Sequence, residues 1–148
     1  MCSIRRVYLV LLFLHFIGLA LGVGTGFASL TLGFATSDMS PEDRTKFVLR
    51  ASALGKNGSI GLLLLLATGI GMMLVRGVGA TMAWGGGAFH LKLTLTALFI
   101  GIFGYQQVLL KRAKREGGGP VMARLRTLGQ VMLLISVTIV VCAVVAFK

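Results

Sequence analysis

The chain contains two histidines, and both stand in long apolar segments where an imidazole could serve as a metal ligand. His15 lies in the run from Val7 to Ala35, which contains no acidic or basic residue. His90 lies near the start of a later apolar run. Because an ionisable side chain is costly in hydrocarbon, such residues are expected to face the protein interior and to have a function.

Small residues share the face of His15 in the first apolar run. At 100° per residue, Gly18 and Gly22 fall within roughly 80° of the His15 direction, together with Thr25, Gly26 and Ser29. This pattern predicts a seam where a neighbouring helix or a flat ligand can approach closely. His90 belongs to a similar stripe that contains Thr94, Gly101, Gly104 and Tyr105.

The two histidines are expected at similar depths, because the first and third spans begin on the same side of the membrane. Their depths differ by roughly 5 to 9 Å at 1.5 Å per residue. Two imidazoles on facing helices could ligate one b-type haem from opposite sides, and Tyr105 could donate a hydrogen bond to a propionate. The alternative is that both stripes only pack helices together, as Gly18-x-x-x-Gly22 motifs commonly do.

Two further side-chain types could carry chemistry. Lys92 lies about 200° around its helix from His90, so the two cannot face the same pocket squarely. It either extends toward the membrane surface or holds a carboxylate, such as a haem propionate, in another gap between helices. Met72 and Met73 could offer soft ligands to Cu(I), or could be apolar filling.

The elements that position these residues are transmembrane helices. Only 13% of the 148 residues are charged, against roughly 25% in soluble domains, and the mean hydropathy is +0.92. We therefore expect an all-α fold, an integral membrane four-helix bundle, in one domain covering residues 1–148. The predicted spans are at about 7–31, 52–76, 88–110 and 127–147.

The connections between the spans have their own signals. Ser40 and Pro41 predict a helix start before the second span, with a possible break near 55–58. Residues 78–87, which include Trp84 as an interfacial anchor, are expected to form a loop. Residues 117–120 predict a flexible turn.

The net charge is +11, and ten of the 15 lysine and arginine residues lie in two basic loops, at 36–58 and 111–126. The positive-inside rule places both loops in the cytoplasm and both termini outside, in a bacterial-type inner membrane. Basic residues here contact lipid headgroups and not nucleic acid, since no aromatic residues are interleaved with them. An alternative for the first 28 residues is a cleaved signal peptide, although their apolar stretch exceeds the usual length.

Two short stretches carry a resemblance to a known family. Residues 14–18, Leu-His-Phe-Ile-Gly, stand in the first span, and residues 89–93, Phe-His-Leu-Lys-Leu, open the third. The chain thereby resembles the four-helix membrane proteins of the protoporphyrinogen-oxidase-like and copper-resistance-D-like type. That resemblance implies haem binding, late haem biosynthesis or copper uptake, with His15 as an axial haem ligand and Lys92 as a functional residue.

These observations favour a b-haem-binding redox protein that uses His15 and His90. The alternatives are a non-catalytic membrane subunit that packs against partner helices and a small copper-handling permease. A homo-oligomer or a larger membrane complex is expected in each case.

Overall fold

The computed structural model describes residues 2–116 and 121–146, and nearly all of them are helical. The helices are α1 (Cys2–Ala35), α2 (Pro41–Ala51), α3 (Gly55–Arg76), α4 (Val78–Glu116) and α5 (Val121–Ala146), with a 3₁₀ turn at Ser52–Leu54 between α2 and α3. Four stretches of the described chain are long and apolar enough to cross a membrane: Ser3–Ala35, Pro41–Arg76, Val78–Arg115 and Val121–Ala146. The predicted all-α membrane four-helix bundle is confirmed. The turn expected at 117–120 and the end of the fourth span at 147 lie outside the described residues.

Helices are the form that these apolar runs must take, because each backbone polar group in lipid needs a hydrogen bond within its own segment. The bundle consists of two helix pairs, α1 with α3 and α4 with α5. Contacts between α1 and α5 join the pairs, whereas α3 and α4 touch at few residues. The bundle is thus held together mainly within the two pairs and through the contacts of α1 with α5.

The α1–α3 pair is antiparallel and is held at close range by glycines. Leu11 contacts Gly71 near one end of the pair, and Thr25 contacts Gly58 near the other. Between them, a Cβ atom on Gly61 would lie 2.8 Å from the carbonyl oxygen of Gly18. The two backbones therefore touch, which only residues without a side chain allow.

The start of α2 agrees with the sequence prediction. Ser40 is the N-cap, its side chain accepts a hydrogen bond from the backbone N–H of Asp43, and Pro41 follows at the first helical position. Arg44 then donates to the carbonyl oxygen of Gly33 at 3.3 Å, which satisfies a backbone acceptor near the end of α1. The break before α3 is the 3₁₀ turn at Ser52–Leu54, earlier than the expected position at 55–58.

Residues 78–87 are helical, so the prediction of a loop there is wrong. Gly77, with φ of 88°, separates α3 from α4, and Thr81 immediately donates its backbone N–H to the Gly77 carbonyl. The single departure from helical geometry inside α4 is Gly86, at φ 53° and ψ −154°. A run of glycines lowers helix propensity, but one kinked residue is enough to turn the chain here, so helical hydrogen bonding resumes on both sides.

Candidate functional site

The imidazole of His15 lies in the interface between α1 and α3. Its Nδ1 atom is 2.8 Å from the hydroxyl oxygen of Thr68, and its Cε1 edge faces the backbone of Gly69. Thr68 is 3% exposed, so this hydrogen bond is made inside the bundle. The expectation that His15 turns away from lipid toward a neighbouring helix is confirmed.

The partners of Thr68 determine which nitrogen of His15 carries the proton. The Thr68 hydroxyl has one hydrogen, which it donates to the carbonyl oxygen of Leu64 at 2.5 Å. It must therefore accept from His15, and Nδ1 is the donor. The backbone carbonyl of Leu65 also interacts with the His15 ring. In the neutral ring, Nε2 then keeps its lone pair for another group.

Lys92 approaches the same region from α4. It is half-buried, and its charge is close enough to act electrostatically on His15. Lys92, Thr96 and Gln107 are all half-buried, as expected for one inward-facing side of α4. The structure thus brings together the two intramembrane groups, an imidazole and an ammonium, from helices that are distant in sequence.

Gly18 and Gly22 lie in the predicted seam, and helix α3 packs directly against them. A Cβ atom on Gly18 would lie 3.0 Å from the Cβ of Leu64, and a Cβ on Gly61 would lie 2.7 Å from the backbone nitrogen of Gly22. No flat ligand fits between these backbones. Of the two possibilities left open for these glycines, the structure shows helix packing.

His90 and Tyr105 lie on the opposite side of α4 from Lys92. His90 is exposed, Tyr105 is 51% exposed, and Thr94, Gly101 and Gly104 between them are exposed as well. His90 thus lies on an exposed face, whereas His15 bonds to Thr68 in the α1–α3 interface, and ligation of one haem by both histidines stays a prediction.

Met72 and Met73, the residues of the copper alternative, lie near the C-terminal end of α3. Met72 and Met73 are half-buried, and Met72 follows Thr68 by one helical turn on the same face. No group of three or more His, Cys, Asp or Glu side chains is arranged for a metal ion in 2–116 and 121–146. Copper binding by these residues stays a prediction.

Thr68 is the residue of the candidate site that sequence reasoning missed. It is the single hydroxyl residue in the apolar run from 60 to 75, and that isolation was the available signal. Threonines in membrane helices usually bond their own backbone, as Thr94 does with the His90 carbonyl at 3.1 Å. The additional bond to His15 could be recognised only once α1 and α3 were paired.

Comparisons with known proteins do not add a relative to this picture. No protein-family model, no curated protein and no solved structure matches the chain.

Proposed function

We propose that the chain is a membrane haem protein in which His15 provides one axial ligand to a b-type haem. The observation that carries this proposal is the hydrogen bond from His15 to Thr68. Haem-ligating histidines use one ring nitrogen for the metal, while the other donates to a neighbouring acceptor that fixes the tautomer and orientation. Here Thr68 is that acceptor, and Nε2 is the nitrogen with a free lone pair.

Lys92 supplies the second element of the proposed site. A haem carries propionate groups, and an ammonium group inside a membrane bundle is a natural counterion for a carboxylate. The inward side of α4 contains Lys92 and no acidic residue, so its charge favours an anionic ligand. The approach of Lys92 to His15 places this charge near the proposed ligand.

The geometry supports one axial ligand per chain and not two. His90 is exposed on α4, whereas His15 bonds to Thr68 inside the bundle, so His15 is the residue that would hold the iron. Bound in this way, haem would supply one-electron chemistry through its ferric and ferrous states. His15 would hold the iron, Thr68 would orient the imidazole, and the packed α1–α3 glycines would exclude water from one side.

The decisive experiment is the absorption spectrum of the purified full-length chain with added haem. We expect a Soret band that shifts on reduction, is lost in His15→Ala and returns when imidazole is added to that variant. His90→Ala is the matched control and should keep the band, because its ring is outside the site. A colourless, folded wild-type protein, or equal losses in both variants, would contradict the proposal.

A second candidate function is a non-catalytic membrane subunit, and it is favoured by the exposed stripe from His90 to Tyr105. A histidine and a tyrosine on an outer helix face are costly against acyl chains, so a partner helix could cover them. A protein that binds no haem but co-purifies with another membrane protein through this stripe would support that alternative.

We further propose that the chain lies in a bacterial-type inner membrane with the α1–α2 and α4–α5 connections in the cytoplasm. The support is the concentration of basic residues at that end of the bundle, including the last turn of α4. Labelling of single introduced cysteines from each side of intact cells tests this orientation. Modification of the α2 region from the outside would contradict it.

A further inference from the structure

Arg76 lies against two aromatic side chains at the end of the bundle where α3 ends and α4 begins. Its guanidinium carbon is 4.6 Å from the centre of the Tyr8 ring and 5.3 Å from the ring of Trp84. Tyr8 belongs to α1, so three helices meet at this point. We call Tyr8, Arg76 and Trp84 the aromatic–arginine cluster.

The cluster fixes the guanidinium but leaves its hydrogen-bond donors available. Cation–π contacts use the flat face of the group, whereas its five N–H bonds point outward in its plane. Within the described ranges no carboxylate pairs with Arg76, and the one ion pair there joins Lys46 and Glu42 at the other end of the bundle. Arg76 is therefore a positioned cation whose donors find no protein acceptor among these residues.

A cleft of about 310 Å³ opens beside the guanidinium. It is lined by Arg76, Ala80, Thr81 and Trp84, and none of these residues is acidic. The Thr81 hydroxyl donates to the Gly77 carbonyl at 2.9 Å, so the charged donors that face the cleft come from Arg76. The positive charge of Arg76 therefore makes the cleft favourable for an anion.

The depth of the cluster in the membrane indicates which anion is available to bind there. Tyr8 is seven residues from His15, and Arg76 is eight from Thr68, which places the cluster about 10 to 12 Å along the helices from the His15–Thr68 hydrogen bond. The apolar spans end at this level, where tyrosine and tryptophan mark the membrane–water interface. The anion that every phospholipid presents there is its phosphate diester.

We propose that the aromatic–arginine cluster is a binding site for the phosphate diester of a membrane phospholipid. The guanidinium donates two parallel N–H hydrogen bonds to two phosphate oxygens, a geometry that lysine cannot supply. Tyr8 and Trp84 hold the guanidinium plane toward the cleft, and the acyl chains follow the exposed apolar sides of the helices.

Native mass spectrometry of the full-length chain with added phosphatidylglycerol tests the role of Arg76. We expect Arg76→Gln to weaken lipid retention about tenfold and Arg76→Lys to weaken it less. Arg50→Gln is the matched control, because Arg50 is an exposed arginine at the opposite end of the bundle, and it should retain lipid normally. Equal losses in the Arg76→Gln and Arg50→Gln variants, or no loss in Arg76→Gln, would overturn the proposal.

Trp84 is the only tryptophan, so its fluorescence follows the cleft in the unmodified protein. Phosphatidylglycerol with brominated chains should quench Trp84 at low molar ratio, and diacylglycerol with the same chains should not. Equal quenching by both lipids would show that the phosphate is not recognised. Displacement of the lipid by millimolar inorganic phosphate would show that the site binds a soluble anion and would overturn the lipid assignment.

Discussion

His15 and Thr68 are joined by a 2.8 Å hydrogen bond across the α1–α3 interface, one turn from the point where Gly18 of α1 contacts α3. The close approach of the two backbones is what allows a short threonine side chain to reach the imidazole. In the proposed site the same contact orients the imidazole and would leave Nε2 for the ligand. Helix packing and site chemistry therefore depend on one another in this bundle.

Replacing Thr68 by valine removes the acceptor for His15 while keeping the shape of the side chain. We expect the free energy of unfolding to fall by about 0.6 to 1.7 kcal/mol, the range for hydrogen bonds between membrane helices. Thr94→Val is the control, since Thr94 is exposed and bonds only its own helix. Unfolding of both variants in mixed detergent micelles measures the difference, and equal stabilities would contradict a structural role for the interhelical bond.

Gly61→Ala should push α1 and α3 apart, because the new Cβ would meet the Gly18 carbonyl oxygen and the Gly22 nitrogen at less than 3 Å. Backbone atoms cannot move aside as a side chain can, so we expect a loss of about 1 to 3 kcal/mol. Gly104→Ala makes the same change where no atom lies within 4 Å, and should be neutral or slightly stabilising. Thermal unfolding of the purified variants compares them, and a stable Gly61→Ala protein would show that the helices are not in backbone contact.

Gly86→Ala should strain the kink in α4. Its φ of 53° and ψ of −154° form a combination that is essentially restricted to glycine, so a Cβ there costs about 1 to 3 kcal/mol. Trp84 lies two residues before the kink, and we therefore expect a change in tryptophan emission as well as lower stability. Gly87→Ala, at an adjacent residue with an ordinary φ and open space, should change neither property.

Lys92→Met tests the proposed propionate contact separately from iron ligation. If Lys92 pairs with a carboxylate, the wild-type chain should bind haem about tenfold more tightly than haem dimethyl ester, which carries no free carboxylates. The Lys92→Met variant should bind the two pigments equally, because only the carboxylate contact has been removed. Spectroscopic titration gives both affinities, and an undiminished preference for haem in the variant would exclude this role for Lys92.

The sequence by itself determined the environment and the helices of this protein. Its long apolar runs required helices in lipid, Ser40 and Pro41 marked the start of α2, and charge-free surroundings singled out His15. These features are local, because hydropathy and caps depend on neighbouring residues along the chain.

The tertiary structure decided which faces meet. Lipid and protein interior are both apolar, so hydropathy does not distinguish the inward side of a membrane helix from the outward side. For that reason only the packing of α4 could show that the Lys92 side is half-buried and the His90 side is exposed. The bond from His15 to Thr68 and the meeting of Tyr8, Arg76 and Trp84 likewise join helices that only the fold brings into contact.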